Sequence, residues 1–469
     1  MPLVDDLLKY KEEVEIRFHM PGHKGNTLNF NELEILKESL FSIDVTEVDG
    51  TDNLHVPTGI IKEAQQRASE FYGAKHSFFL VNGSTAGIYS MILGLLNPKE
   101  KIIIQRNCHR SVYSACILGD LEVVYVNPTI DEEFNIPVSL DVEEIIDVMD
   151  KNLDAKAIVL TYPTYYGTCF DLEKVIKEAR KRNIYVLIDS AHGAHLKCST
   201  YLPKDPIELG ADAAVYSLHK TTPALTQCSI LNVNIDNIDG IKFMLNMFQT
   251  TSPSYLLMSS IDAAIGIMNR SGKELLEKTI YYANKLRNRL NLIGYKTLGI
   301  EDIGKYKIND IDTTRIVIFS DIGGHNLNEI LRKKYKIQVE MSDDNNIVLI
   351  GSMFDKEDYY EYLYTALLDI KNKFIQGKNK SQSFLKKDYK IRINMRSAYY
   401  SKKERLPLKE ALGRISAEML VPYPPGVPLL MPGEEITDDI IDFIEQNRGK
   451  ITFNGISDEG AEYIYVIKE

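Results

Sequence analysis

From about Ile60 to Leu231 short apolar runs rich in valine and isoleucine alternate with stretches of helical periodicity, and few architectures accommodate that alternation. Runs apolar on both faces are how strands read when a parallel sheet is buried between helices. The class is therefore α/β. Strands are expected near residues 77–81, 101–104, 122–126, 157–161, 185–188, 213–216 and 229–233. The stretch 61–72 puts Ile61, Ala64, Ala68 and Phe71 on one helical face, and Gly73 follows as its cap. Residues 255–292 read as one long helical connection, after which 314–319, 347–350 and a helix following Asp355 indicate a smaller α/β unit. The expected division is an N-terminal arm at 1–55 that contacts a second subunit, a large unit at 56–290 and a smaller C-terminal part at 291–469, with a basic, polar linker at 371–387. Two proline-rich passages, 422–428 and 431–435, are expected as rigid loop, neither helix nor sheet.

A chain of 469 residues, 44% of them hydrophobic, buries a large core and divides into two or three units. Its 55 basic and 66 acidic side chains leave a formal charge of -11 with no basic block, so nucleic-acid binding is not expected. No apolar run is long enough to span a bilayer and the N-terminus lacks the pattern of a signal peptide; the expected location is cytoplasmic. Cys108, Cys116, Cys169, Cys198 and Cys228 form no Cys-x-x-Cys pair, which argues against a disulfide framework and a zinc site.

Asp189 ends the apolar run 184–188 and opens Asp-Ser-Ala-His-Gly-Ala-His; the next strand delivers Ser217-Leu-His-Lys220. Ligands in open α/β sheets bind outside the carboxyl ends of strands, so the acid and the lysine converge on one edge. After the run 77–81 comes Asn82-Gly-Ser-Thr-Ala-Gly87, a turn of small residues that offers backbone N–H groups and hydroxyls to a phosphate. Phosphate cradle, carboxylate and lysine together are what pyridoxal 5′-phosphate requires. The lysine holds the aldehyde as an imine, and the carboxylate keeps the ring nitrogen protonated so that electrons released at a substrate α-carbon drain into the ring. His109, in Arg106-Asn-Cys-His109 beyond another strand, is placed to stack on the ring face. Singly, the Asn82-Gly-Ser-Thr turn reads equally well as a plain turn and His109 as a semi-buried histidine, while Asp189 reads more readily as a helix cap and Lys220 as a surface lysine. The ordered set, every member at a strand end, carries the inference.

Arg17-Phe-His-Met-Pro-Gly-His-Lys-Gly25, Asn82-Gly-Ser-Thr85, Arg106-Asn-Cys-His109, Asp189-Ser-Ala-His-Gly193, Ser217-Leu-His-Lys-Thr221 and Pro422-Tyr-Pro-Pro-Gly426 resemble signatures of the Orn/Lys/Arg decarboxylases, nearly end to end. The resemblance implies an aspartate-aminotransferase type of fold: a large cofactor domain with a mostly parallel sheet, a smaller C-terminal domain, and active sites shared across a homodimer, with higher oligomers left open. It implies Lys220 as the Schiff-base lysine, Asp189 on the pyridine nitrogen and His109 on the ring, with Gly83, Ser84, Thr85, His192, Ser217 and His219 around the cofactor. Thr251 or Ser252 is implied to reach the partner's cofactor phosphate. The implied reaction is decarboxylation of a basic L-amino acid to a polyamine-type amine and CO2, arginine ranking slightly ahead of lysine and ornithine, with Lys220 or His219 protonating the α-carbon. Two departures stand out. Ser190 occupies the place of a glutamate usual in the shorter members, and the sequence begins directly at the His-Met-Pro-Gly-His region, so wing-mediated decamers are not expected.

Other readings compete at the level of reaction. A fold-related aminotransferase needs an arginine for the substrate α-carboxylate, for which Arg396 and Arg414 are candidates, and a non-catalytic regulator on the same scaffold needs no turnover at all. For the distal cation of a basic substrate the candidates are Asp44, Glu47, Asp49, Asp52, Glu418 and Glu434. The pairs His19/His23 and His192/His195 have helical metal-ligand spacing, but Pro21 and Gly22 break the first and no glutamate accompanies either, so no metal is expected. Neither the Gly-Lys-Ser/Thr of a nucleotide loop nor Gly-x-Gly-x-x-Gly is present, which disfavours an ATPase and a dinucleotide enzyme.

Overall fold

The computed structural model describes residues 1–373, 389–423, 428–449, 451–458 and 460–468. A seven-stranded sheet organises the first half: β1 (His76–Leu80), β2 (Lys101–Gln105), β3 (Glu122–Val126), β4 (Ala155–Thr161), β5 (Tyr185–Asp189), β6 (Ala213–Tyr216) and β7 (Ser229–Val233). Their order is β1-β7-β6-β5-β4-β2-β3. Only β7 is reversed in this sheet, antiparallel to both β1 and β6, so the carboxyl ends of the other six share one edge.

The continuous apolar runs follow from burial on both faces. Ile158, Leu160, Val186 and Ile188 point into one core. Their neighbours Ala157, Val159 and Leu187 point into the other. With a side-chain period of two, each strand must be apolar at every position. Helix α1 (Ile60–Tyr72) covers the first face, and α2 (Gly83–Leu93) and α3 (Arg110–Gly119) cover the second. In α1 the aromatic that is fully buried is Tyr72, not Phe71; its hydroxyl donates to the Ala194 carbonyl at 2.8 Å. Gly73 ends the helix in the left-handed region with φ 75°, where a Cβ is disfavoured.

Helix α4 (Tyr255–Leu292) is a single helix of 38 residues, started by the Ser254 side chain accepting from the Leu257 N–H. Ile261, Ala264, Ile265 and Met268 belong to the core under the large sheet, whereas Ala283, Leu286 and Leu290 belong to a second core. That second core lies against an antiparallel sheet in the order Lys296–Thr297, Arg315–Phe319, Asn346–Ile350 and Met341–Ser342. The strand Ile16–Phe18 pairs parallel with Ile337–Val339 and sends Ile16 and Phe18 into the same core.

The C-terminal part has a core of its own around Leu420, Leu430, Ile436, Ile444 and Ile464. Two expectations change here. Val421–Tyr423 is a short strand paired with Thr452–Asn454, so the proline-rich passage begins in a sheet. A two-stranded ribbon has only edges, and an edge tolerates the missing N–H of Pro422. Residues 424–427 of that passage lie outside the described residues. The expected linker starts three residues too early, because residues 371–373 still belong to the helix Glu357–Lys373; the remainder of that stretch also lies outside the described residues. A hairpin of Pro128–Asp131 with Ile136–Leu140 went unread, since Pro128 and Pro137 speak against strands in sequence.

Candidate active site

Strand register brings the chemistry together. Thr161 at the end of β4 lies level with Asp189 at the end of β5, which in turn lies level with Val215 of β6. Two residues past Val215, Ser217 leads into the short helix Leu218–Thr221 that carries Lys220. From the far side of β4, the loop after β2 brings in His109 as the residue capping α3, its ring accepting from the Ser111 N–H. Lys220, Asp189, His109, His192 and Ser84 line one cavity of about 140 Å3, roofed in part by Tyr165 and Tyr166.

Asp189 is buried and accepts from the Ala191 N–H at 3.1 Å, which fixes its carboxylate at the cavity wall. The Lys220 amine lies 3.0 Å from His192 Nε2. The Ser217 hydroxyl donates to Ser84 Oγ at 2.8 Å, joining the β6 loop to the first turn of α2. Gly83, which opens that helix, has φ 73°, a conformation that favours glycine. Ser84 and Thr85 stand in the first turn of this helix, where hydroxyls and N–H groups without an intrahelical partner suit an anion.

The N-terminal motif braces the lysine loop from outside. Gly22 N–H donates to the His219 carbonyl at 2.8 Å, and a Cβ on Gly22 would stand 2.5 Å from the Thr222 carbonyl oxygen. No other residue fits this close approach. Lys24 reaches back to the carbonyls of His19 and Ile350, and Ser352 donates to the Gly22 carbonyl at 2.6 Å, so the motif is wedged between the lysine loop and the small sheet.

Burial dominates the electrostatics. It lowers the pKa of Lys220, an effect that Asp189 and Glu340 oppose and Arg315 reinforces. His192 falls well below the ordinary imidazole range through burial and the positive charges of Lys220 and Arg315. Burial likewise lowers His109, with Asp189 opposing and Lys220 adding to the shift. His219 is lowered by burial, partly offset by its hydrogen bond to the Cys228 carbonyl. A carbonyl only accepts, so Nδ1 of His219 carries the hydrogen and Nε2 is the bare nitrogen of the neutral ring.

Not every expected residue gathers here. Thr251 and Ser252 sit in an exposed turn ahead of α4, outside the cavity of their own chain, although the Thr250 N–H bonds Asn82 Oδ1 beside the Gly83 turn. The acidic candidates are engaged elsewhere or face solvent. Asp52 accepts from the N–H groups of Asn53, Thr58, Gly59 and Ile61, Glu418 from those of Ser457 and Tyr465, and Glu434 pairs with buried Arg106. Asp44 and Asp49 are exposed, and Glu47 is half-buried away from the cavity lining. Arg396 donates to the Ile117 and Leu118 carbonyls and Arg414 pairs with Glu404, so neither lines the cavity. His192 and His195 face different partners, Lys220 with Arg315 for the first and Asp312 with Thr314 for the second.

Residues that the sequence did not single out line the cavity, as Gln105 and Thr161 do, or stand behind its lining, as Glu340 and Arg315 do. Gln105 holds the Asn107 side chain at 2.6 Å and accepts from the Thr161 N–H, tying the ends of β2 and β4 together. Thr161 Oγ1 is buried at the cavity without a hydrogen-bond partner. Glu340 accepts from the Met20 N–H and the Tyr165 hydroxyl. The signal for Gln105 and Thr161 was their position at strand ends; Glu340 and Arg315 come from a distant part of the chain, and nothing local marked them.

A lysine amine, a buried carboxylate, a histidine and a hydroxyl-bearing helix terminus around one cavity suit a ligand that carries an aldehyde, a basic ring nitrogen and a phosphate. Comparison with known proteins agrees. The chain is 35% identical over 479 residues to the arginine decarboxylase of Bacillus subtilis (strain 168), covering all of this chain and 98% of the relative. It is 26% identical over 560 residues to the inducible lysine decarboxylase of Escherichia coli (strain K12), covering 95% of this chain and 76% of the relative. Among solved structures, the Francisella novicida lysine decarboxylase superposes with a TM-score of 0.80 at 20% identity, over 100% of this chain and 81% of that one. Residues 1–320 match the family model of the Orn/Lys/Arg decarboxylase major domain and residues 378–458 that of the C-terminal domain, and the chain belongs to the Orn/Lys/Arg decarboxylase family.

Proposed function

We propose that this protein decarboxylates a basic L-amino acid with pyridoxal 5′-phosphate, arginine being favoured over lysine and ornithine. The carrying observation is the convergence of Lys220, Asp189 and His109 on one cavity beside the α2 terminus. The preference for arginine rests on the higher identity and fuller coverage of the B. subtilis relative. When bound, the cofactor supplies the electron sink that lets the α-carboxylate leave as CO2.

The chain's own residues do the rest. Lys220 Nζ would hold the cofactor through its aldehyde, the place that a substrate amine would compete for. Asp189 holds the proton on the ring nitrogen, since a buried carboxylate favours the charged partner. His109 would pack on the ring face, and Gly83, Ser84, Thr85 and Ser217 would hold the phosphate. Once free, Lys220 Nζ carries the proton given up by the substrate amine and returns it to the α-carbon. The bare Nε2 of His219 supports Lys220 over His219 in that role.

A homodimer with shared sites is part of this reading. Ser252 is exposed close to the Gly83 turn, and Phe243 and Met247 on the helix Asp239–Phe248 expose apolar surface, as a subunit contact requires. A cytoplasmic place in polyamine synthesis belongs to the same proposal. The test compares CO2 and amine formation with keto-acid formation from arginine, lysine and ornithine. Amine and CO2, fastest from arginine, are expected; keto acid without CO2 overturns the reading, and lysine as the better substrate overturns the arginine preference.

A further inference from the structure

Behind His192 stands a residue that the reaction as described leaves unused. Arg315 begins a strand of the small sheet, is 2% exposed, and places Nη2 3.1 Å from His192 Nδ1. Its Nε and Nη1 are buried without a hydrogen-bond partner, so the bond to His192 is its polar engagement at the site. The far nitrogen of the same ring lies 3.0 Å from Lys220 Nζ. Tyr165 packs edge-on against the ring with centroids 5.0 Å apart and holds its plane.

We propose that Arg315 is a positioning residue that fixes the tautomer of His192 and thereby selects the unprotonated amine of Lys220. The reasoning is one of hydrogen-bond polarity. A guanidinium is always charged and only donates, so Nδ1 of His192 must accept and carries no hydrogen. A neutral imidazole then has its hydrogen on Nε2. Nε2–H donates, and its neighbour, the Lys220 nitrogen, accepts only through the lone pair of a neutral amine. A lysine ammonium would meet a donor with a donor. The neutral amine is the form that attacks a carbonyl.

The charges around the triad act in both directions. Arg315 disfavours positive charge on Lys220, while Asp189 and Glu340 favour it, and Lys220, Arg315, His219 and His109 all disfavour a charged His192. The fold pays close attention to where Arg315 stands. Gly167 has φ 89°, and a Cβ there would meet Arg315 Cβ at 2.6 Å. Arg287 also donates to the Arg315 carbonyl, and the Arg315 N–H bonds the Asp312 carbonyl at 3.1 Å.

The inference rests on Lys220 being the reactive amine of the proposed function, but its readouts need no turnover. Nitrogen-15 shifts of the His192 ring in the full-length protein, assigned with a His192→Gln variant, should show Nδ1 bare and Nε2 protonated. Acetic anhydride labelling of Lys220 against pH, in the protein stripped of cofactor and quantified on the Lys220 peptide, should give an apparent pKa below that of surface lysines. Arg315→Met, which removes both the donor to Nδ1 and the positive charge, should release the tautomer and slow labelling near neutral pH about tenfold, one pKa unit. Arg315→Lys, still only a donor, should restore both. Protonated Nδ1 in the wild type overturns the proposal even if Arg315→Met fails to fold, and so does labelling of Lys220 that Arg315→Met leaves unchanged. Loss of decarboxylation with the wild-type tautomer intact would count against the proposed function and not against this inference.

Discussion

At the scale of single residues, the proposed function assigns anchoring to Lys220 and electron withdrawal to Asp189. Lys220→Ala should abolish the visible absorbance of lysine-bound cofactor and lower turnover by about 10³-fold or more. Absorbance scans and amine assays on the purified variant check both, and retained absorbance would mean that another lysine is the anchor. Asp189→Asn should leave cofactor content nearly unchanged while kcat falls about 10²-fold or more, because an amide does not hold a charged ring nitrogen. Cofactor content measured beside kcat separates the two effects. Gly22→Ala tests the brace behind Lys220: a Cβ 2.5 Å from the Thr222 carbonyl oxygen must push the lysine loop, and kcat should fall although Gly22 does not line the cavity.

At the scale of elements, the loop that carries His109 is tied to the C-terminal part. Arg106, three residues before His109, is fully buried and donates to both oxygens of Glu434 and to the Leu429 carbonyl; the rings of Tyr125 and Tyr389 lie on it at 4.6 and 3.5 Å. Glu434→Gln leaves a buried guanidinium without its counter-charge and should cost about 3 kcal/mol, read as a lower midpoint in urea unfolding followed by circular dichroism. Glu434, named from sequence as a partner for a substrate cation, is thus committed to Arg106. The error has a simple origin. A carboxylate's partner comes from tertiary contact 328 residues away, and a sequence carries no local mark of that. By contrast the placement of Asp189, Lys220 and the Gly83 turn at one sheet edge was legible because each follows an apolar strand, and in an α/β sheet the chain position after a strand fixes the edge of the molecule. The seven strands of the large sheet were legible for the same reason, whereas the proline-bearing hairpin was hidden by its own composition.

At the scale of the whole molecule, the large and small sheets are joined by buried polar pairs as well as by apolar packing. His195 Nε2 lies 3.1 Å from Asp312 Oδ2, and both side chains are fully buried. Burial alone would raise the Asp312 carboxyl, but His195, Arg315 and the Thr314 hydroxyl outweigh it and hold the pKa at about 2, below the ordinary 3.8. A folded-state pKa below the unfolded one adds stability above the unfolded value and loses it as pH falls towards the folded one. Stability should therefore decline between about pH 4 and pH 2 by about 2 kcal/mol from this group, and Asp312→Asn should flatten that limb of an acid-unfolding curve. The 38-residue helix has a further consequence. At about 57 Å it runs from one core to the next without a break. It therefore acts as a shared beam: neither core can melt without stripping apolar side chains from a rod that the other still grips. Heating should give one calorimetric peak for both, and a chain cut within the beam should yield two fragments that are each insoluble alone.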